Sequence, residues 1–156
     1  MPVRFLRNAS ELADVSWETP LPVQVTNARP VPADTLLVAT TTVTDANRDL
    51  LGSTATELPT LDGCMQYRKL VWFYFRSGAA ATTYRVLARA TDHNGAPLGA
   101  GWITLATGTL PGEANTWGRI EIPASGDGYY DQYRIEVWRT AGSSNHNLTS
   151  KIVGVR

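Results

Sequence analysis

The stretch Tyr67–Gly78 reads YRKLVWFYFRSG, and its centre, Leu70 to Phe75, is an unbroken run of apolar and aromatic residues. A β-strand sends successive side chains to opposite faces. Leu70, Trp72 and Tyr74 then share one face, and Val71, Phe73 and Phe75 share the other. Antiparallel sheets commonly keep one face in the core and one in water, so their strands alternate. A run that is apolar on both faces needs a cover on the second face too.

The neighbouring segments show an ordinary strand of this chain. Thr82–Thr91 (TTYRVLARAT) alternates, with Tyr84, Val86, Ala88 and Ala90 inward and Arg85 and Arg89 outward. Trp117–Pro123 (WGRIEIP) turns Ile120 and Ile122 in, and Arg119 and Glu121 out. Gln132–Thr140 (QYRIEVWRT) turns Tyr133, Ile135 and Val137 in, and Arg134, Glu136 and Trp138 out. TLLVATTTVT (35–44) is rich in β-branched residues and LTSKIVGVR closes the chain, both as strands. The return strand after the Asp92–Gly95 hairpin (DHNG) is interrupted by GAG and runs Trp102–Ala106. DANRDLLGS (45–53) reads as a turn or short helical turn. TATELPTLDG (54–63) and TGTLPGEANT (107–116) read as loops, and SGAAA (77–81), ASGDG (124–128) and AGSSNHN (141–147) as turns. Seven or eight strands with turn clusters every ten residues or so, and no long 3.6-residue periodicity, predict an all-β sandwich or small barrel.

Five of the nine prolines fall within the first 32 residues. TPLPVQVTNARPVPAD can be neither a helix nor a central strand and reads as extended backbone. It nevertheless carries Leu21, Val23, Val25 and Val31, after Phe5, Leu6 and Trp17, more apolar residues than a disordered tail holds. Residues 1–34 are therefore read as an ordered, extended arm and 35–156 as the sandwich. A short capped turn is expected over Asn8–Val15 with Ser10 as N-cap.

Bulk composition excludes several classes. The chain has 156 residues, enough to bury a core without staples. Its 14 basic and 14 acidic residues leave no basic excess for nucleic acid. Only Lys69 and Lys151 are lysines; an arginine bias suits interfacial pairing, and codon usage explains it equally well. The single Cys64 rules out an intrachain disulfide and any cysteine-rich metal site. No run reaches the ~20 apolar residues of a membrane helix. An initial methionine without a leader-like run suggests a product made in a cytoplasm and not exported by the usual route. The sequons at Asn8 and Asn147 are then chance matches.

Chemistry-bearing motifs are scarce. GxSxG, HExxH, GxGxxG and Walker A patterns do not occur. His93 and His146 both read as solvated turn residues, and Cys64 as a small buried hydrophobe. Glu121 and Glu136 each alternate with arginine and read as partners in cross-strand ion pairs rather than as a hydrolytic carboxylate pair. Asp127 and Asp131 in SGDGYYD offer too few acids for a full calcium loop.

Parity leaves several large residues on the outer side: Val71, Phe73, Phe75, Leu87, Trp117 and Trp138. Several on adjacent strands suggest a covered patch. With Trp17 from the arm, they are the interface candidates. Three covers are open: the chain's own arm, a neighbouring subunit, or a sugar stacked on exposed rings.

The two-layer pattern, the closing pair GYYDQYRIEVWRT (128–140) and NLTSKIVGVR (147–156), and the central aromatic strand resemble a jelly-roll sandwich over residues 35–156. Two families share that form: sugar-binding modules joined to glycoside hydrolases, and decoration or cement proteins of tailed-phage capsids. Neither has a short motif that carries functional residues onto this chain. The second resemblance implies a non-enzymatic structural virion protein without cofactors. Its partners would be copies of itself and a major capsid protein, with neither nucleic acid nor membrane. A proline-rich arm and balanced charge fit an outer-surface protein. The first resemblance implies a carbohydrate-binding module, with Trp117 or Trp138 as its stacking platform.

Overall fold

The computed structural model describes residues 4–8, 11–14, 33–99, 101–110, 113–122, 130–142 and 144–156. The chain forms two compact units, Met1–Pro30 and Val31–Arg156. In the first, β1 (Arg4–Asn8) pairs antiparallel with β2 (Glu11–Asp14), Asn8 opposite Glu11. The short capped turn expected over Asn8–Val15 is thus a hairpin. An isolated helical turn is marginal in water, whereas two facing strands satisfy each other's backbone groups. Ser10, Trp17 and the proline-rich stretch lie outside the described residues.

Among the described residues the second unit holds eight strands. They are β3 (Ala33–Val43), β4 (Arg48–Asp49), β5 (Lys69–Arg76), β6 (Thr82–Arg89), β7 (Ile103–Leu110), β8 (Thr116–Ile122), β9 (Gln132–Arg139) and β10 (His146–Val155). β3 pairs with β10, β4 with β9, β5 with β8 and β6 with β7, all antiparallel. The chain is therefore one long hairpin whose two halves pair along their length. Rolling that hairpin sends successive pairs to alternate sheets. The first sheet is ordered β3-β10-β5-β8 and the second β4-β9-β6-β7, the strand order of a jelly roll.

The aromatic run is β5, and it lies between β10 and β8 inside the first sheet. Its parity is as read: Leu70, Trp72 and Tyr74 are buried, with Trp72 fully enclosed. They meet Val43, Ile122, Leu148 and Ile152 of the same sheet and Val86, Ala88, Leu110, Ile135 and Val137 of the other. The Trp72 and Tyr84 rings meet edge-on at 5.7 Å between the two sheets. Two tyrosines lie over glycines directly opposite them, Tyr74 over Gly118 and Tyr84 over Gly108. A β-carbon at either glycine would collide with the ring above it.

Elsewhere local reading and fold part company. TGTL (107–110) is not loop; it extends β7, because its β-branched residues pair with Thr82–Arg85. Trp102 stands just before that strand and donates its indole N–H to the Thr56 carbonyl, 3.0 Å away. Ahead of the central strand, Cys64–Gln66 form a single 3-10 turn, and the strand itself begins at Lys69. The turn read at 45–53 contains the two-residue β4. Ala90, expected inward, lies past the end of β6 and is exposed.

Candidate functional site

Each sheet has an outer face, and the two differ in kind. On the first, strand pairing lines up three rows. Val38, Lys151, Phe73 and Arg119 form one row across β3, β10, β5 and β8. Thr40, Thr149, Phe75 and Trp117 form the next, and Val153, Val71 and Glu121 a third. Val38 is 68% exposed, Phe73 38% and Trp117 72%. The Phe75 ring packs beside the Trp117 indole with centroids 4.8 Å apart. Val38, Phe73, Trp117, Thr149 and Lys151 line a shallow depression of about 360 Å³. Glu121 is paired with Lys69 at 2.6 Å, and that bond holds its carboxyl below the usual carboxylate range. Among the described residues no hydrogen bond ties a segment across this face.

The outer face of the second sheet is charged and covered. Thr83, Arg85, Leu87 and Arg89 of β6 face Trp138, Glu136, Arg134 and Gln132 of β9. Arg134 and Glu136 are almost completely buried, as is Asp49 of β4 beside them. Glu136 accepts from Arg134 Nε (2.9 Å), Arg85 Nε (2.9 Å) and Asn47 Nδ2 (3.0 Å). Arg134 also lies 3.5 Å from the Asp49 carboxylate. Burial alone would raise the Glu136 pKa; the bonds from Asn47, Arg134 and Arg85 outweigh it, and the carboxyl sits below its ordinary range.

The cover is the segment Leu50–Pro59. β4 and, further on, Leu61 both hydrogen-bond to β9, at Glu136–Val137 and at Tyr133. Between those anchors the carbonyls of Thr56, Glu57 and Leu58 accept from Trp102 Nε1, Arg89 Nη2 and Arg134 Nη1 at 2.9–3.0 Å. The segment's backbone thus stands in for water around the guanidiniums. The Arg89 guanidinium stacks 4.2 Å above the Trp102 ring.

The interface candidates divide accordingly. Val71, Phe73, Phe75 and Trp117 come together on the first sheet's outer face. Leu87 has the expected outward parity but is 6% exposed, so it offers no contact surface. Trp138 is half-buried on the same charged face, with Arg85 5.9 Å from its ring centre. Trp17 lies outside the described residues, so the expected cover by the arm falls there too. Val38 escaped the sequence reading. A register shift between Ile152 and Val153 flips the side-chain parity of β3 near Leu36–Leu37, and no alternation survives to be read.

The titratable groups sit as follows. His146, read as a solvated turn residue, opens β10 opposite Val43 and is buried, 2.8 Å from the Thr82 hydroxyl. Burial and the nearby Arg76 cation lower its pKa, which favours the neutral ring. His93 is exposed in its hairpin as expected. Cys64 is buried, and burial, with the carboxylates of Asp62 and Asp131, pushes its thiol up to about 12, the opposite of a nucleophile's environment. Glu121 and Glu136 stand on the outer faces of different sheets, so they form no hydrolytic pair. The expected ion pairing is present, with Lys69 for one and arginines for the other. Asp131 accepts from the Thr91 hydroxyl, and Asp127 lies outside the described residues.

Searched against protein-family models and against curated proteins, the sequence matches none.

Proposed function

We propose that this chain is a non-enzymatic assembly protein that docks through the outer face of its first sheet. The assembly is the outer surface of a virion capsid, which the chain decorates or cements through subunit contacts. The single observation that carries the docking reading is the apolar patch of Val38, Phe73 and Trp117, with Phe75 beside the indole, exposed on the outer face of the sheet. Burying an apolar side chain of this size contributes roughly 1.5–3 kcal/mol, so a few of them suffice to drive association. The capsid assignment rests on the jelly-roll form and on the proline-rich segment that precedes it.

The test is light scattering coupled to size exclusion, with and without purified capsid shells. The full chain should associate with itself or with a shell, and Phe73→Lys should abolish that association. A chain that stays monomeric and leaves shells undecorated overturns the reading.

The exposed Trp117 ring favours one other reading, a carbohydrate platform, because flat indoles stack on sugar rings. A glycan array would then show binding that Trp117→Ala removes.

A further inference from the structure

The sandwich has four edge strands: β3 and β8 in the first sheet, β4 and β7 in the second. An edge exposes unpaired backbone N–H and C=O groups, and folded proteins blunt it with bulges, short length, proline or inward charge. β3 and β7 are each interrupted by a register shift in their pairing, at Ile152/Val153 and at Val86/Leu87. β4 is two residues long. Among the described residues β8 has none of these protections: seven residues pair with β5 in unbroken register, without proline, and its two charged side chains, Arg119 and Glu121, point outward. Its inward residues, Thr116, Gly118, Ile120 and Ile122, carry no charge.

We propose that the β8 edge is the seam for a second copy of this chain, joined antiparallel about a twofold axis at Ile120. In that register Arg119 of each copy faces Glu121 of the other, giving two opposite-charge cross-strand pairs on the outer surface. A register centred on Arg119 or on Glu121 would set a charge against its own image, which is destabilising. The seam makes one eight-stranded sheet from two four-stranded ones. It also places the exposed apolar faces of both copies on the same side of that sheet, with the Arg119–Glu121 pairs between them. A C2 contact of this kind is self-complementary, as Arg119 and Glu121 are about Ile120. The inference rests on the docking reading above and names its first partner.

A charge swap on the full chain tests it, read by light scattering across a dilution series. The native chain should dimerise. Arg119→Glu, which sets glutamate against glutamate twice, should weaken dimerisation by roughly tenfold or more. Adding Glu121→Arg restores opposite charges and should return the constant to within about threefold of the native value. Both positions are exposed, so the fold is spared. Arg119→Glu without effect, or loss that Glu121→Arg does not restore, overturns the seam; so does a chain monomeric at every concentration. The two readings fail separately: association that survives Arg119→Glu but is lost on Phe73→Lys overturns the seam alone, and association untouched by Phe73→Lys overturns the docking reading.

Discussion

The two outer faces of this sandwich invert the usual expectation. The charged one is buried, and the apolar one is exposed. On the second sheet Arg134 is bonded to the Leu58 carbonyl of the covering segment and Glu136 to Asn47, Arg85 and Arg134, so each buried charge has found partners. On the first sheet Val38, Phe73 and Trp117 stand open. The contrast separates two properties that strand alternation merges. Parity says which face a side chain takes; only the rest of the chain says whether that face is wet.

Breaking the covered face should cost most. Arg134→Ala leaves Glu136 and Asp49 buried with fewer partners, and removing one member of such a set typically costs ~3–5 kcal/mol. Urea unfolding of the variant should show that loss. A cost below ~1 kcal/mol would mean the segment Leu50–Pro59 opens readily to water.

Acid probes the same face without mutation. The folded pKa of Glu136 lies below its ordinary value, so the folded state favours the carboxylate. That contribution is present above the unfolded value of ~4.3 and is lost as pH falls through the lower folded value. Thermal melts from pH 7 downward should therefore steepen on the acid side, and Glu136→Gln should lower stability at pH 7 while flattening that limb.

Adjacent residues of β8 compare inside with outside. Gly118→Ala adds a β-carbon against the Tyr74 ring and should cost ~1–3 kcal/mol, as overpacking does. Trp117→Lys, one residue earlier on the open side, should change monomer stability by no more than ~0.5 kcal/mol. Chemical denaturation at high dilution measures both. Equal costs would mean that Trp117 is already covered within the monomer.

Much of this was legible from residues alone. Leu70–Phe75, Trp117–Ile122 and Tyr133–Val137 each displayed their parity, because regular antiparallel pairing preserves a period of two. The open apolar face was legible for the same reason, through Val71, Phe73, Phe75 and Trp117. What stayed hidden depends on distant chain. The burial of Arg134 and Glu136 is decided by Asn47 and the Leu58 carbonyl, 76 to 89 residues away. Leu87 kept its outward parity opposite Arg134 but is buried. His146 sits in a composition that reads as a turn, but pairing with β3 draws it into a strand. Val38 was lost to the bulge, since a shift of one residue erases the alternation that would have exposed it.

The long rolled hairpin also has a consequence for synthesis. β10 is made after the other strands of the sandwich and lies between β3 and β5, so two earlier strands wait for it on the ribosome. Until it emerges, β3 has no neighbour in its sheet, and the LVWFYF run is bordered on one side only. Such topologies fold slowly and expose greasy strands meanwhile. The residues most in need of a chaperone's protection in the nascent chain are therefore the ones that later form both the core and the open apolar face.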